Sequence, residues 1–358
     1  MRQIDGLRAL AVAMVFVDHF VGVRVPFGTM GVLLFFVISG FLITGILFDL
    51  KESISQGVLS APNALKVFYV RRFLRIFPLY YLCLAGLWLL NLPTIRQLIA
   101  WYLFYGINIR IASDPHWSHF PATGHFWSLA VEEQFYILWP FLILFLPKRY
   151  LRPLMWSLLF ASLGFRAIER HFFHVNLITS TILTINCFDF FSLGALLAFK
   201  NPKDKALFRI AGILSMPLLA FEIVLFILGR AGNFPWTVFE LSCALTFFVL
   251  VSFAAEGMDN AFGRFLAWKP VTYLGMISYG LYVYHWPIYR LVWMQPIPAT
   301  LLSIALASLS WYLYEKPINS LKRHFNYPRP VKAQRTTSGL REEVGNAVVP
   351  LSGVGSYN

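Results

Sequence analysis

Long apolar runs separated by short polar connections make up most of this chain. A helix needs about 20 predominantly apolar residues, counting its flanks, to cross a hydrocarbon core. On that criterion the pattern predicts ten spans, over residues 6–23, 30–50, 75–91, 125–146, 153–168, 178–199, 207–228, 235–255, 271–293 and 299–316. Residues 98–111 are apolar but too short to cross, so they read as interfacial or re-entrant, with 114–123 as an outward loop. After Asn319 the periodicity stops and Arg, Thr, Ser, Gly and Pro take over. The expected organisation is therefore a membrane domain over 1–319 and a disordered cytoplasmic tail over 320–358, with no internal repeat.

Charge orients the bundle. Lys51, Lys66, Arg71, Arg72 and Arg75 fall between the second and third spans, and Lys148, Arg149 and Arg152 follow the fourth. Lys200, Lys203, Lys205 and Arg209 follow the sixth, and Arg264 and Lys269 precede the ninth. The opposite connections hold few cations, mainly Arg24, Arg96, Arg110, Arg170 and Arg230. This positive-inside asymmetry places both termini in the cytoplasm. It also accounts for the net charge of +13 without nucleic acid. The first apolar run carries Asp18 and His19 and no small-residue cleavage site follows it, so it reads as a retained span rather than a leader. Hydrophobic residues at 58%, charged residues at 13% and a mean hydropathy of +0.63 exclude a soluble domain and predict an all-α polytopic membrane protein. Cys83, Cys187 and Cys243 are scattered through apolar runs and indicate neither a disulfide framework nor a zinc site.

Ionisable residues inside the spans are the candidate chemistry, because they are costly there. Arg8 and His19 lie eleven positions apart. On a straight helix that is about 1,100°, which puts both on one face roughly 16 Å apart along the axis. In the fourth span His125, Ser128, Glu132, Tyr136 and Trp139 form a polar stripe at three- and four-residue spacing. Glu132 on that stripe is expected to face the cavity and orient His19 as a general base. Glu133, about 100° away, is expected to bond a neighbouring helix. Arg72 and Arg75 share a face at the mouth of the third span, where bidentate guanidinium contacts suit a phosphate-bearing ligand and anchoring to anionic lipid is the competing use. Asp189 and His285 are further buried ionisable groups open to packing or function, and Ser39-Gly40 reads as a close-packing site. The outer His116, His119, His171 and His174 are read as lacking a carboxylate or thiol cluster, so no metal is expected.

Seven segments in order, IDGLRALAV followed by His19, GVLLFFVISGFLIT, RRFLRIFPLYY, HFWSLAVEEQFYILWP, FDFFSLGALLA, SYGLYVYHWP and YEKP, resemble the membrane acyltransferase-3 family from residue 3 to about 320. The resemblance implies an integral O-acyltransferase of the bacterial inner membrane that moves an acyl group, commonly acetyl from acetyl-CoA, to a hydroxyl of a surface glycan or its precursor. It places the family's first-span arginine and histidine on Arg8 and His19, and its arginine pair on Arg72 and Arg75. Acyl-CoA is then the donor substrate, held at Arg8, Arg72 and Arg75, and His19 is general base or acyl carrier. Many relatives carry an acid where this chain has Leu33, and some append a periplasmic hydrolase-like domain, so the membrane domain is expected to complete transfer alone. The alternative class is a proton-coupled transporter or flippase for a lipid-linked or anionic glycan, with His19 and Glu132 as a proton relay.

Overall fold

The computed structural model describes residues 1–230, 235–292 and 295–327. The described residues are all-α, with no strand among them. Among the described residues, six helices are long and apolar enough to cross a bilayer: Phe27–Ser55, Ala61–Leu89, Phe126–Phe145, Pro202–Ile227, Trp236–Glu256 and the continuous Pro296–His324.

In chain order, α1 (Arg2–Phe16) runs into a π-helical turn, Val17–Val21, that closes on Gly22 in the left-handed region. α2 (Phe27–Ser55) and α3 (Ala61–Leu89) are followed by two short helices, α4 (Pro93–Leu103) and α5 (Ile107–Ser113). Next come α6 (Phe126–Phe145), α7 (Lys148–Phe172), the short α8 (Leu177–Ile182) and α9 (Phe188–Ala198). α10 (Pro202–Ile227) and α11 (Trp236–Glu256) precede α12 (Ala261–Leu266), α13 (Lys269–Met276), α14 (Ser278–Val292), α15 (Pro296–Ser310) and α16 (Lys316–Ser320).

Three sequence expectations change here. The third helix begins at Ala61 rather than 75, so the Arg71–Pro78 run lies inside α3 and not in a connection. The expected sixth span is broken into α8, a 3-10 turn and α9, and the ninth is broken at Ile277 between α13 and α14. The chain is also ordered past 320. Arg71 donates to the carbonyls of Lys322 (3.0 Å) and Phe325 (2.7 Å) and lies 4.4 Å over the Tyr327 ring, which fastens this end to α3. The remainder of the expected tail, 328–358, lies outside the described residues. Residues 98–111 fall in α4 and α5, neither long enough to cross.

α2 is the centre of the bundle and packs on α1, α6, α9 and α11. Its closest neighbour is α9, where two glycines face each other's backbones. A Cβ on Gly194 would stand 2.1 Å from the Val37 carbonyl oxygen, and one on Gly40 would stand 2.2 Å from that of Phe191. Such small-residue contacts are how helices associate without a hydrophobic driving force between them. Gly194→Val is therefore expected to force α2 and α9 apart and cost at least about 1–3 kcal/mol, read as a lower unfolding temperature in detergent. Lys51, counted above as a charge-asymmetry cation, instead donates to the carbonyls of Ile143, Leu144 and Leu146 at 2.7–2.9 Å and caps α6.

Candidate active site

The candidate residues divide between two of the cavities found among the described residues. The larger, about 790 Å³, is lined by Arg8 of α1, Arg72 and Arg75 of α3, and Glu132, Glu133 and Tyr136 of α6. Arg2, Lys269 and Lys322 also line it, so six cations face the three carboxylates of Asp5, Glu132 and Glu133. None of the Arg8, Arg72 and Arg75 guanidiniums makes a hydrogen bond or ion pair among the described residues, and Nε of Arg72 is buried without a partner. Arg72 lies 5.7 Å from the Tyr136 ring, and Arg75 lies 5.7 Å from that of Trp311. Arg75 is also in electrostatic range of Arg8 and Arg72, with Glu315 as the opposing charge. Three half-buried guanidiniums with unused donors in one pocket have the chemistry that meets a polyanion. Arg2, Lys269 and Lys322 carried no distinguishing signal, because charge asymmetry already accounts for basic residues at that end.

His19 is not in this cavity. It lines the smaller one, about 470 Å³, with Asp18, His125, Tyr282, Trp286 and Arg290. Arg8 and His19, eleven positions apart along the first helix, thus open onto different cavities, with His19 held in the π turn Val17–Val21. Val32 and Tyr282 line both cavities and form the wall between them. Tyr282 is fixed in that wall by its hydroxyl, which bonds the Ser128 hydroxyl at 2.5 Å and donates to the His125 carbonyl at 2.8 Å.

The partner of His19 is His285, not Glu132. Nδ1 of His19 and Nε2 of His285 are 2.8 Å apart, and Nδ1 of His285 is 2.8 Å from the Tyr282 carbonyl oxygen. A carbonyl only accepts, so His285 carries a proton on Nδ1. His285 is fully buried and contacts no carboxylate among the described residues, so a charge there would be unpaired and it stays neutral. Its Nε2 is then a bare acceptor, and His19 must donate from Nδ1. That leaves Nε2 of His19 as the free lone pair of the pair. This is the job of a triad's carboxylate, done by a neutral imidazole and a backbone carbonyl. Asp18 shares the cavity with His19, and Gly28 leaves room for its carboxylate, since a Cβ there would stand 2.5 Å from Oδ2.

Glu132 accepts hydrogen bonds from the Ser39 hydroxyl and, at 2.6 Å, from Tyr136. The polar stripe is therefore real but spans both cavities: His125 lines the smaller one, while Ser128, Glu132 and Tyr136 line the larger. Glu133 also lines the larger cavity, with Oε1 buried and unpartnered, so it does not bond a neighbouring helix there as expected. Ser39, read as packing, is a cavity residue, whereas Gly40 does pack. Leu33 is buried in the apolar core.

Asp189 lines neither cavity. It pairs with Arg166, which lies 3.4 Å from Glu240, and Arg170 joins Glu240 at 2.8 Å, tying α7, α9 and α11 together. Asp189, Arg166 and Glu240 are at most 1% exposed. Asp189→Asn is expected to cost about 3–5 kcal/mol of stability, because it leaves a buried guanidinium undercompensated, and to leave ligand affinity in the folded fraction unchanged. Thermal unfolding together with a binding isotherm checks both parts.

A family model described as an acyltransferase domain matches residues 1–314. The chain is 28% identical to the peptidoglycan O-acetyltransferase OatA of Listeria monocytogenes, an alignment covering 88% of this chain and 55% of the relative. It is also 28% identical to the O-acetyltransferase OatA of Staphylococcus aureus, over 88% of this chain and 56% of that one. The chain thus spans a little over half the length of these relatives. No solved structure matches at a significant level. With its ordered motifs, its helical membrane bundle and a family match that covers most of its length, the chain belongs to the membrane acyltransferase-3 family.

Proposed function

We propose that this chain is an O-acyltransferase that moves an acyl group, acetyl in the first instance, from acyl-CoA in the arginine cavity to a glycan hydroxyl in the histidine cavity. The observation that carries the reading is the pairing of two features on either side of one wall. On one side are three guanidiniums without protein partners, suited to the phosphates of CoA; on the other is a histidine whose hydrogen bonds leave Nε2 free as a base. The charge asymmetry of the loops puts the arginine cavity on the cytoplasmic side, where acyl-CoA is found, and the histidine cavity on the outer side of the bacterial inner membrane, with ten crossings and both termini inside.

In the reaction, Nε2 of His19 takes the proton of the acceptor hydroxyl as its oxygen attacks the thioester carbonyl carbon. The tetrahedral intermediate collapses with cleavage of the carbon–sulfur bond, and the imidazolium returns the proton to the leaving thiolate, giving ester and free thiol. While His19 is charged, its Nδ1–H bond to neutral His285 becomes charge-assisted. In this reading the acyl end of the donor must reach the base past Val32 and Tyr282, the two residues that line both cavities. Glu132 has no place beside His19 in this scheme and belongs with Ser39 and Tyr136 to the donor cavity.

The wall between the cavities is also the feature that favours a transporter with alternating access. Detergent-solubilised protein separates the two readings, because micelles offer no compartments to transport between. With acetyl-CoA and an oligosaccharide acceptor, an acyltransferase releases free thiol in proportion to ester formed on the glycan. A transporter releases none.

A further inference from the structure

The outer loop after α5 brings two histidines onto one carboxylate, which the sequence reading of isolated outer histidines did not anticipate. Nδ1 of His116 lies 2.9 Å from Oδ1 of Asp114, and Nδ1 of His119 lies 3.0 Å from Oδ2. All three donor atoms fall within 4.8 Å of one another. The backbone fixes the cluster, since His116 N–H donates to the Asp114 carbonyl at 2.8 Å and His119 N–H to that of His116 at 3.0 Å. Phe120, immediately after, is buried and anchors the loop.

We propose that Asp114, His116 and His119 form a binding site for a divalent transition metal, with zinc as the ion their donor set suits best. Two imidazole nitrogens and one carboxylate oxygen are borderline donors that favour zinc over the hard, all-oxygen ions calcium and magnesium. Tetrahedral zinc with ligands at about 2.0–2.1 Å needs donors about 3.3 Å apart. Each Nδ1 lies 2.9–3.0 Å from a different Asp114 oxygen and the three donors lie within 4.8 Å of one another, so rotation of the exposed imidazoles and the carboxylate brings them onto one ion. On binding, each ring presents the Nδ1 lone pair to the ion, and both rings are more than half exposed and free to turn, at 66% and 55%. Arg110 donates to Asp114 Oδ2 at 3.3 Å and holds the carboxylate in place from the second coordination sphere, although its charge also limits affinity. Three protein ligands leave a fourth position open, as catalytic rather than closed structural sites do. Trp117 and Ser118, between the two histidines, line the His19 cavity, so an ion here would fix the loop at that cavity's mouth.

The test is binding, and it is independent of whether the chain transfers acyl groups. Untagged full-length protein in detergent is titrated with zinc by calorimetry and with cobalt by its visible d–d absorption. The expected result is one equivalent of zinc and a four-coordinate cobalt spectrum. Binding is expected to weaken at least about tenfold in His116→Ala and His119→Ala, since a direct ligand is worth no less than an outer-shell partner. Asp114→Asn keeps the shape but removes the ligand charge and exchanges one of the two accepting oxygens for an amide donor, so thermal unfolding measured beside each isotherm separates lost coordination from a disturbed loop. Equal stoichiometry and affinity in the wild type and all three variants, or no binding to the wild type, would overturn the assignment.

Discussion

Replacing His19 with Gln should reduce acyl transfer by about 10²–10⁴-fold, the contribution of a positioned general base, while protein yield in the membrane stays near normal. Glutamine fills a similar volume but supplies no basic nitrogen. The companion variant His285→Ala addresses how the base is set up. It removes the acceptor that fixes the His19 Nδ1–H and leaves His19 itself in place. Turnover should fall by about 10²-fold, and the pH–rate profile should change shape because His19 can then carry its proton on either nitrogen. Glu132→Gln should leave that profile unmoved, because an amide oxygen still accepts from Ser39 and Tyr136 and neither is a partner of His19. Rates measured across pH for the three variants distinguish His285 from Glu132 as the group that tunes His19.

The second large effect concerns the donor. Arg72→Lys and Arg75→Lys keep the positive charge but lose the planar fork that meets phosphate with two bonds. Each should raise the apparent KM for acyl-CoA by about 10–100-fold, the range spanned by one lost charge-assisted hydrogen bond of about 1.5–3 kcal/mol. The acceptor KM should stay constant. If the arginines anchored lipid instead, lysine would serve as well and donor saturation curves would superimpose on those of the wild type. Arg71→Lys is the internal control, since its guanidinium is already engaged with the carbonyls of Lys322 and Phe325 and does not line the larger cavity. Its signature should be lower stability rather than a changed donor constant.

The helical membrane architecture was legible because hydropathy and charge asymmetry are summed over whole segments and tolerate local errors. Arg72 and Arg75 were legible for a similar reason, since a three-residue spacing fixes a shared face in any helix. His19 was found by its cost in an apolar run, but its partner was not. His285 lies 266 positions away, and the π turn that holds His19 has no marker in the hydropathy pattern. Glu132 sat on a correctly drawn stripe that crosses from one cavity to the other, and a helix period says nothing about where a wall falls. Asp189 stayed open between packing and function in the sequence because Arg166, Arg170 and Glu240 become its neighbours only when three helices meet. The Asp-x-His-x-x-His spacing at 114–119 is visible in the sequence, but hydropathy does not show that the loop brings both imidazoles onto one carboxylate.

The central claim is that donor binding and proton transfer are lodged in separate cavities, and the affinity of His19→Gln for acetyl-CoA tests it most directly. Equilibrium binding of labelled acetyl-CoA to purified protein, compared with the wild type, gives the answer in one number. The account predicts affinity within about twofold of the wild type, because the arginine cavity is untouched, in a protein that no longer turns over. A loss of affinity that tracks the loss of turnover would contradict it, showing that His19 and the arginines hold the donor as one site.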